Sequence, residues 1–486
     1  MKGRIKVLAS CLLVSQLFLM TAYAKPDWPS DMGIQAEAGI VMDVDSGAVI
    51  YGQNIHAAYP PASITKILTA LIVLENSSLD EMVTFSKDSV YNVEEGSGNK
   101  LNVTDGDQLS VEDCLYSLIL HSCNQAANAL AEHVAGSREE FVRMMNDKLT
   151  ELGCTESHFD NPSGLNGDTQ YVSAYDMALI AKAAYSNKKM VEIGSAISHD
   201  IPPTVNNPEG LTIYNEHRLV KTKDPDSEFY CPSAVAGKTG YLIKAGNTVV
   251  TYGEQDGRRL VSVVLKGSPK QYFIDGKNLL EFGFSRFENF PVTGNETDYE
   301  GEEKPVEIGG TTYDPSDIEL EAGGVVTLPK GGEFSQADKT LVTELPPGSP
   351  KDAIAMVRYT YSDRVVGQAY LTVKEETLAE SPGAEDKTGK TAPGGTDGSE
   401  TAPASRPSKA DSTGKGEGSI GILAAGIGAL LILSGAVAGF FIYRKKKERR
   451  AMELRREERI RRIKAEGDAE VFQRMLEQRR EKREKK

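Results

Sequence analysis

A run of about 24 residues without a charged side chain, Ile420 to Tyr443, constrains this 486-residue chain more than any other feature. At about 1.5 Å per residue a helix of that length crosses a hydrocarbon layer of roughly 30 Å, so the segment reads as a transmembrane helix. Arg444-Lys445-Lys446-Lys447 follows directly, and the tail to Lys486 carries about 19 Lys and Arg against about 10 acids. Such a tail stays in the cytoplasm, which places everything before the span outside. The N-terminus agrees: Lys2, Arg4 and Lys6 precede an apolar stretch from Val7 to Met20 and a small-residue site at Ala22-Tyr23-Ala24, the pattern of a secretion signal. Leu8-Ala9-Ser10-Cys11 looks like a lipobox, but cleavage there would leave almost no apolar core ahead of it.

The formal net charge is −15, and roughly −27 for the exported portion once the tail and signal are set aside. An acidic ectodomain argues against nucleic acid as a partner, and beside an anionic envelope it calls for a locally basic cleft. Four cysteines survive signal removal: Cys114, Cys123, Cys154 and Cys231. Three disulfide connectivities are open to them, yet there is no C-x-x-C and the chain is long enough to fold without staples, so buried free thiols are the expectation. The six histidines include no H-E-x-x-H, and no metal or cofactor is expected.

The expected organisation is a signal peptide over 1–24, a catalytic domain over 30–285, a small β domain over 290–375, a disordered linker over 376–418, the span over 420–443 and the basic tail over 444–486. In the catalytic domain, Gly39-Ile-Val-Met-Asp43 and Ala48-Val-Ile-Tyr51 flank a turn at Asp45-Ser46-Gly47 and predict a hairpin. Ser63 to Glu75 predicts a helix with Ile67, Leu68, Leu71, Ile72 and Leu74 on a broad apolar face. Ser110-Val-Glu-Asp113, Ser137-Arg-Glu-Glu140 and Ser173-Ala-Tyr-Asp176 read as helix caps, with Gly153 as a stop. The β pattern returns in Ala234–Gly240, Asn247–Tyr252 and Leu260–Leu265. Strands, then helices, then antiparallel strands predict a sheet packed on a helical cluster. Val325–Leu328 and Ala355–Tyr361 suit the small β domain. The linker, rich in Ser, Thr, Gly, Pro and Ala, has a mean reach of roughly 35 to 40 Å. The tail spaces Ile460, Ile463, Val471, Phe472, Met475 and Leu476 among charges, as a solvated helix or a basic amphipathic one would.

Three short words carry the chemistry: Ser63-Ile-Thr-Lys66, Ser122-Cys-Asn124 and Lys238-Thr-Gly240. Together they offer a nucleophile, a proton carrier and a cationic anchor, the equipment of serine acyl transfer without a histidine triad. Each word also occurs elsewhere, as Ser186/Lys189, Ser412/Lys415, Ser97-Gly98-Asn99 and Lys387-Thr388-Gly389, so context decides. Ser63 sits where Pro60-Pro61 gives way to a helix whose N-terminus favours negative charge, and Lys66 projects one turn later. Ser122-Cys-Asn124 joins two predicted helices, and Lys238 opens a β region that can lie beside a peptide. Lysine serves as base only if its pKa falls from about 10.4 towards neutrality, roughly 4 kcal/mol, which burial and the second cation Lys238 both favour. Ser122 can pass a proton to the leaving amine, Asn124 can hold the lysine or the substrate amide, Lys238 and Thr239 of the Lys-Thr-Gly240 word can grip a carboxylate, and the N–H groups of Ser63 and Tyr241 are oxyanion candidates.

With Pro61-Ala-Ser-Ile-Thr-Lys66, Ser122 to Ser137, Asn161-Pro-Ser-Gly-Leu165 and Lys238-Thr-Gly240 in this order, residues 35 to 285 resemble the low-molecular-weight penicillin-binding proteins, the serine D-alanyl-D-alanine carboxypeptidases of peptidase S11 type. The resemblance implies a β-lactamase/transpeptidase-like α/β (α+β) fold, then the small all-β domain and the C-terminal transmembrane helix. It implies removal of the terminal D-alanine from peptidoglycan stem peptides through an acyl-enzyme on Ser63, with Lys66 and Ser122 as catalytic partners, Asn124, Lys238, Thr239, Gly240 and Tyr241 as substrate-binding residues, and β-lactams as acylating inhibitors. Two departures stand out. Cys123 replaces a smaller residue, which would put a thiol in the cleft and narrow it. An arginine often present before the Lys277 segment gives way to Tyr272 with Lys270 nearby, shifting carboxylate recognition to Lys238 and Thr239. A β-lactamase would need a water-activating residue, and no E-x-x-L-N word lies between Ser122 and Lys238. A membrane β-lactam sensor would need more spans or a cytoplasmic metalloprotease motif.

Overall fold

A computed structural model describes residues 25–374, apart from 94–96, 300–304, 315 and 347. The expected signal, linker, span and basic tail lie outside the described residues, among which no helix is long and apolar enough to cross a membrane.

The hairpin predicted near the N-terminus forms from β1 (Ala38–Asp43) and β2 (Val49–Gln53). Its turn is fixed by Asp43, whose Oδ1 accepts the N–H groups of Asp45 and Ser46, each at 3.0 Å, and by Gly47 at φ +75°. β3 (Ala234–Leu242), β4 (Gly246–Gln255) and β5 (Arg258–Gly267) complete an antiparallel sheet of order β2-β1-β5-β4-β3. Asp256 and Gly257 turn β4 into β5 with φ of +51° and +79°, the two positive values that a tight right-twisted hairpin needs. Alternation along β1 sends Ile40 and Met42 to the helical cluster and Val41 to the other face, where Leu279, Leu280 and Phe284 of α6 (Gln271–Arg286) cover it. The β3 strand that bears Lys238-Thr239-Gly240 lies at the sheet's edge, so one side of its backbone is left open to a ligand.

The helical cluster is built from α1 (Lys66–Asn76), α2 (Val111–Leu120), α3 (Asn124–Ala135), α4 (Arg138–Glu151) and α5 (Ala174–Ser186). The three expected caps are made: Ser110, Ser137 and Ser173 accept the N–H groups of Asp113, Glu140 and Asp176 at 3.0, 3.1 and 3.0 Å. Gly153 stops α4 at φ +73°. The helix expected from Ser63 differs in two ways. It opens as a 3-10 turn over Ala62–Thr65, and residues 66–73 are buried on every side rather than along one apolar face. The cause is position, since α1 runs through the middle of the cluster and even Lys66 and Thr69 are enclosed.

α6 passes without a break into the first strand of a six-stranded β module, Phe287–Pro291, so the catalytic and β parts share a continuous helix-to-strand junction. Val326, Leu328, Val357, Tyr359 and Leu371 form the module's core. A buried polar chain locks it to the β1–β2 turn: Ser46 Oγ lies 2.6 Å from Thr327 Oγ1, Thr327 donates to Asn289 Oδ1 at 2.9 Å, and Asn289 Nδ2 donates to Asp43 at 2.9 Å. Trp28 adds an apolar wedge against Phe287 and Tyr361.

Candidate active site

Ser63 stands in the 3-10 turn, immediately after Ala62, which is buried in the left-handed region at φ +54°. Two glycines let this turn settle where it does. A Cβ on Gly164 would come within 1.9 Å of the Ala62 carbonyl, and one on Gly240 within 2.8 Å of the Ser63 nitrogen. The edge strand therefore approaches the backbone of Ser63 itself, bringing residues 63 and 240 together.

Lys66 is fully buried, and its Nζ donates to Asn124 Oδ1 at 2.7 Å, to the Ser163 carbonyl at 2.6 Å and to Ser63 Oγ at 3.2 Å. Asn124 is oriented by donating its Nδ2 to Ser97 Oγ at 2.8 Å, which leaves its oxygen for the lysine. Ser122 lies in the turn between α2 and α3 at φ +57° and lines the same cleft as Ser63. The expectation for Cys123 is corrected here. Its side chain is completely buried, and its Sγ accepts the Ala126 N–H at 3.5 Å as the cap of α3, so it faces the core and not the cleft. Reversal of direction between adjacent residues of the turn accounts for this: Ser122 and Asn124 point to the cleft, and Cys123 points away. All four thiols, Cys114, Cys123, Cys154 and Cys231, are free and buried.

The cleft holds about 270 Å³ and is lined by Ser63, Ser122, Asn124, Thr239, Gly240 and Tyr241, together with Gly98, Lys100, Leu165, Glu216 and Tyr272. Lys238 is 1% exposed beneath it and donates to the Thr239 carbonyl at 2.9 Å. Burial pulls its pKa down to about 7, with Glu216 favouring the charge and Lys100 opposing it. Lys270, flagged beside Tyr272, caps α6 in a positive-φ conformation, while Tyr272 itself reaches the cleft wall. Thr248 Oγ1 anchors the turn from below by donating to the Pro61 carbonyl at 3.0 Å.

Sequence reasoning missed several contributors. Ser97, by sequence only a second match to the middle word, orients Asn124. The Ser163 carbonyl holds Lys66, and the preceding Pro162 carbonyl accepts from Thr69 at 2.7 Å. Asn161 shapes that loop, its Oδ1 accepting the N–H groups of Ser163 and Gly164 at 3.2 and 2.8 Å. The signal was the Asn-Pro-Ser-Gly turn composition, which announces a tight loop without saying what its carbonyls face. Glu216 and Lys100 carried no motif at all.

A serine hydroxyl beside a buried lysine, faced by a Ser-x-Asn turn and a Lys-Thr-Gly edge strand, defines the class as serine acyl-transfer enzymes without a histidine triad. Residues 24–268 match the model of the D-alanyl-D-alanine carboxypeptidase family, peptidase S11. The chain is 31% identical over 296 residues to the D-alanyl-D-alanine carboxypeptidase DacF of Bacillus subtilis, covering 59% of this chain and 73% of that one. It is 33% identical over 331 residues to DacC of Escherichia coli, covering 65% and 76%. Penicillin binding protein 5 from Haemophilus influenzae shares the fold, with a TM-score of 0.55 at 24% identity over 71% of this chain and 98% of that one. The chain belongs to the D-alanyl-D-alanine carboxypeptidase family and is a serine hydrolase of that type.

Proposed function

We propose that the cleft removes the terminal D-alanine from peptidoglycan stem peptides, with Ser63 as nucleophile and Lys66 as its base. One observation carries the reading. Of the three acceptors that Lys66 is shown to meet, the Asn124 amide oxygen and the Ser163 carbonyl can only accept, whereas the Ser63 hydroxyl can also donate. Among these three, the Ser63 hydroxyl alone has a proton to give, and a neutral Lys66 at 3.2 Å is within reach to take it.

Ser63 Oγ attacks the scissile carbonyl, the oxyanion rests on the N–H groups of Ser63 and Tyr241, and the leaving D-alanine amine takes a proton through Ser122. Lys238 and Thr239 hold the substrate carboxylate, and Asn124 spans lysine and substrate. Water then hydrolyses the ester. A β-lactam, opened by the same attack, remains on Ser63. The span 420–443 and the basic tail support placement on the outer face of a cell membrane with a single C-terminal anchor.

The test is D-alanine release from a diacetyl-Lys-D-Ala-D-Ala peptide by the full-length protein in detergent. Wild type releases it and Ser63→Ala does not; equal release by both would remove Ser63 from the mechanism.

A further inference from the structure

The mouth of the cleft carries a charged pair that the acyl-transfer steps do not use. Lys100 Nζ donates to Glu216 Oε1 at 2.7 Å and to the His121 carbonyl at 2.8 Å, and both side chains line the cavity beside Thr239 and Gly240. Neither end is loose. The Glu216 N–H donates to the Leu120 carbonyl at 3.1 Å, and the preceding Asn215 is buried, its amide holding the Gly194 and Ala196 carbonyls at 3.1 and 2.9 Å. Lys100 lies in the same segment as Ser97, which orients Asn124. The pair thus ties together two walls that are distant in sequence, directly above the strand that presents Lys238.

The charged and titratable groups around that strand divide clearly. Glu216 and Lys100 act on Lys238 in opposite senses. His217, buried under Gly237, has its pKa pulled down to about 3 by burial and is neutral near pH 7. His121 is lowered first by burial and then by Lys100. Arg218 and Lys221 sit on the short helix that follows His217, with the Arg218 guanidinium stacked on Phe229. Lys189 is paired with Glu112 and Glu192, and Lys66 is held on the opposite wall by its own acceptors.

We propose that the Lys100–Glu216 pair positions the carboxylate end of the substrate: it clasps the cleft's mouth and sets two opposite charges against Lys238, so that each partner controls how firmly this ammonium holds a carboxylate. The inference rests on the carboxypeptidase reading, in which the substrate ends in a carboxylate. With the pair intact its charges cancel and Lys238 is left as the net attraction. Without Lys100, the Glu216 anion faces the incoming carboxylate.

The experiment follows kcat/KM for D-alanine release from diacetyl-Lys-D-Ala-D-Ala against pH, using full-length wild type, Glu216→Gln and Lys100→Met. The alkaline limb reports the loss of charge on Lys238, near pH 7 in this fold. Glu216→Gln removes the charge that favours the ammonium, so its limb moves to lower pH; Lys100→Met removes the one that opposes it, so its limb moves to higher pH, each by about half a unit to one unit. At pH values below the limb, Lys100→Met raises KM by about 5-fold with kcat nearly kept, as an uncompensated anion of this kind should. Combining the two substitutions brings the limb back towards wild type. Lys100→Gln keeps a donor for His121 and Glu216 and gives a second, gentler reading of the same sign should the Met variant fold poorly. A merely structural clasp would move both limbs together or neither, and that result overturns the inference alone. A wild type that releases no D-alanine overturns the carboxypeptidase reading, and this inference with it.

Discussion

Gly240→Ala tests whether the contact between the edge strand and the nucleophile's turn matters for chemistry. The added methyl would lie 2.5 Å from Thr248 Oγ1, 2.8 Å from the Ser63 nitrogen and 3.1 Å from Ala62 Cβ. Comfortable separations for such atoms are about 3.5 Å, so strand and turn must part by roughly 0.7 Å. The Thr248 side chain has some freedom to yield, but the Ser63 nitrogen is backbone and, in the proposed mechanism, an oxyanion donor. Overpacking of this kind costs about 1–3 kcal/mol of stability, and a displacement approaching 1 Å at reacting atoms costs on the order of 100-fold in rate. The assay is the rate of acylation by a fluorescent penicillin, set against the melting temperature. Adding Thr248→Ala removes one collision and should recover part of the stability, while the Ser63 collision remains and acylation stays slow. A Gly240→Ala protein that acylates at the wild-type rate would refute the claim that this approach fixes the nucleophile.

Other outcomes follow from single buried groups. Burial pulls the His217 pKa from its ordinary 6.5 to about 3, so the unfolded chain binds more protons between these values. Stability therefore rises with pH through that window and is lost as pH falls, by about 5 kcal/mol when fully developed; urea midpoints measured across it should flatten in His217→Gln. Asp43→Ala strips the partner from the mostly buried Arg258 and cuts the tie to Asn289, costing about 3–5 kcal/mol in denaturant titrations. The four thiols should resist an aromatic disulfide reagent in the native protein and react on denaturation, since burial raises the pKa of each.

What was legible in the sequence was whatever short-range rules govern. Serines at helix starts, Gly153 at a helix end and the Asp45-Ser46-Gly47 turn follow from local sterics and hydrogen bonding, and the structure places them as read. The three catalytic words were legible because the chemistry demands those residue types. Their supports were not, because a backbone carbonyl such as that of Ser163 has no sequence signature. Its value comes only from facing Lys66 across 97 residues of chain. Cys123 misled for a related reason: neighbouring residues in a motif need not share a direction, and the positive φ of Ser122 turns the chain so that the thiol enters the core. Ser97 owes its role to proximity in the fold, where it accepts from Asn124, and not to its own match to the middle word.

The two residues at the catalytic turns with backbone in the left-handed region, Ala62 and Ser122, are not glycines. That conformation costs an L-residue about 1 kcal/mol or more, which glycine would avoid, so its retention beside both hydroxyls suggests that rigidity there serves position. Ala62→Gly separates the two effects. Relief of strain, about 1 kcal/mol, is offset by the greater freedom of the unfolded glycine and by loss of a buried methyl, each also near 1 kcal/mol. The net is a loss of about 1 kcal/mol of stability, seen as a small drop in the melting temperature. The peptide leading into Ser63 would then be freer to visit other conformations, with the Gly164, Gly240 and Thr248 contacts left to confine it. Acylation by a fluorescent penicillin should slow by about 10-fold, as expected when a fraction of molecules hold the nucleophile out of register. Should Ala62→Gly acylate as fast as wild type, the strained turn would have no positioning role, and the contacts from Gly164, Gly240 and Thr248 would be sufficient to hold Ser63 in place.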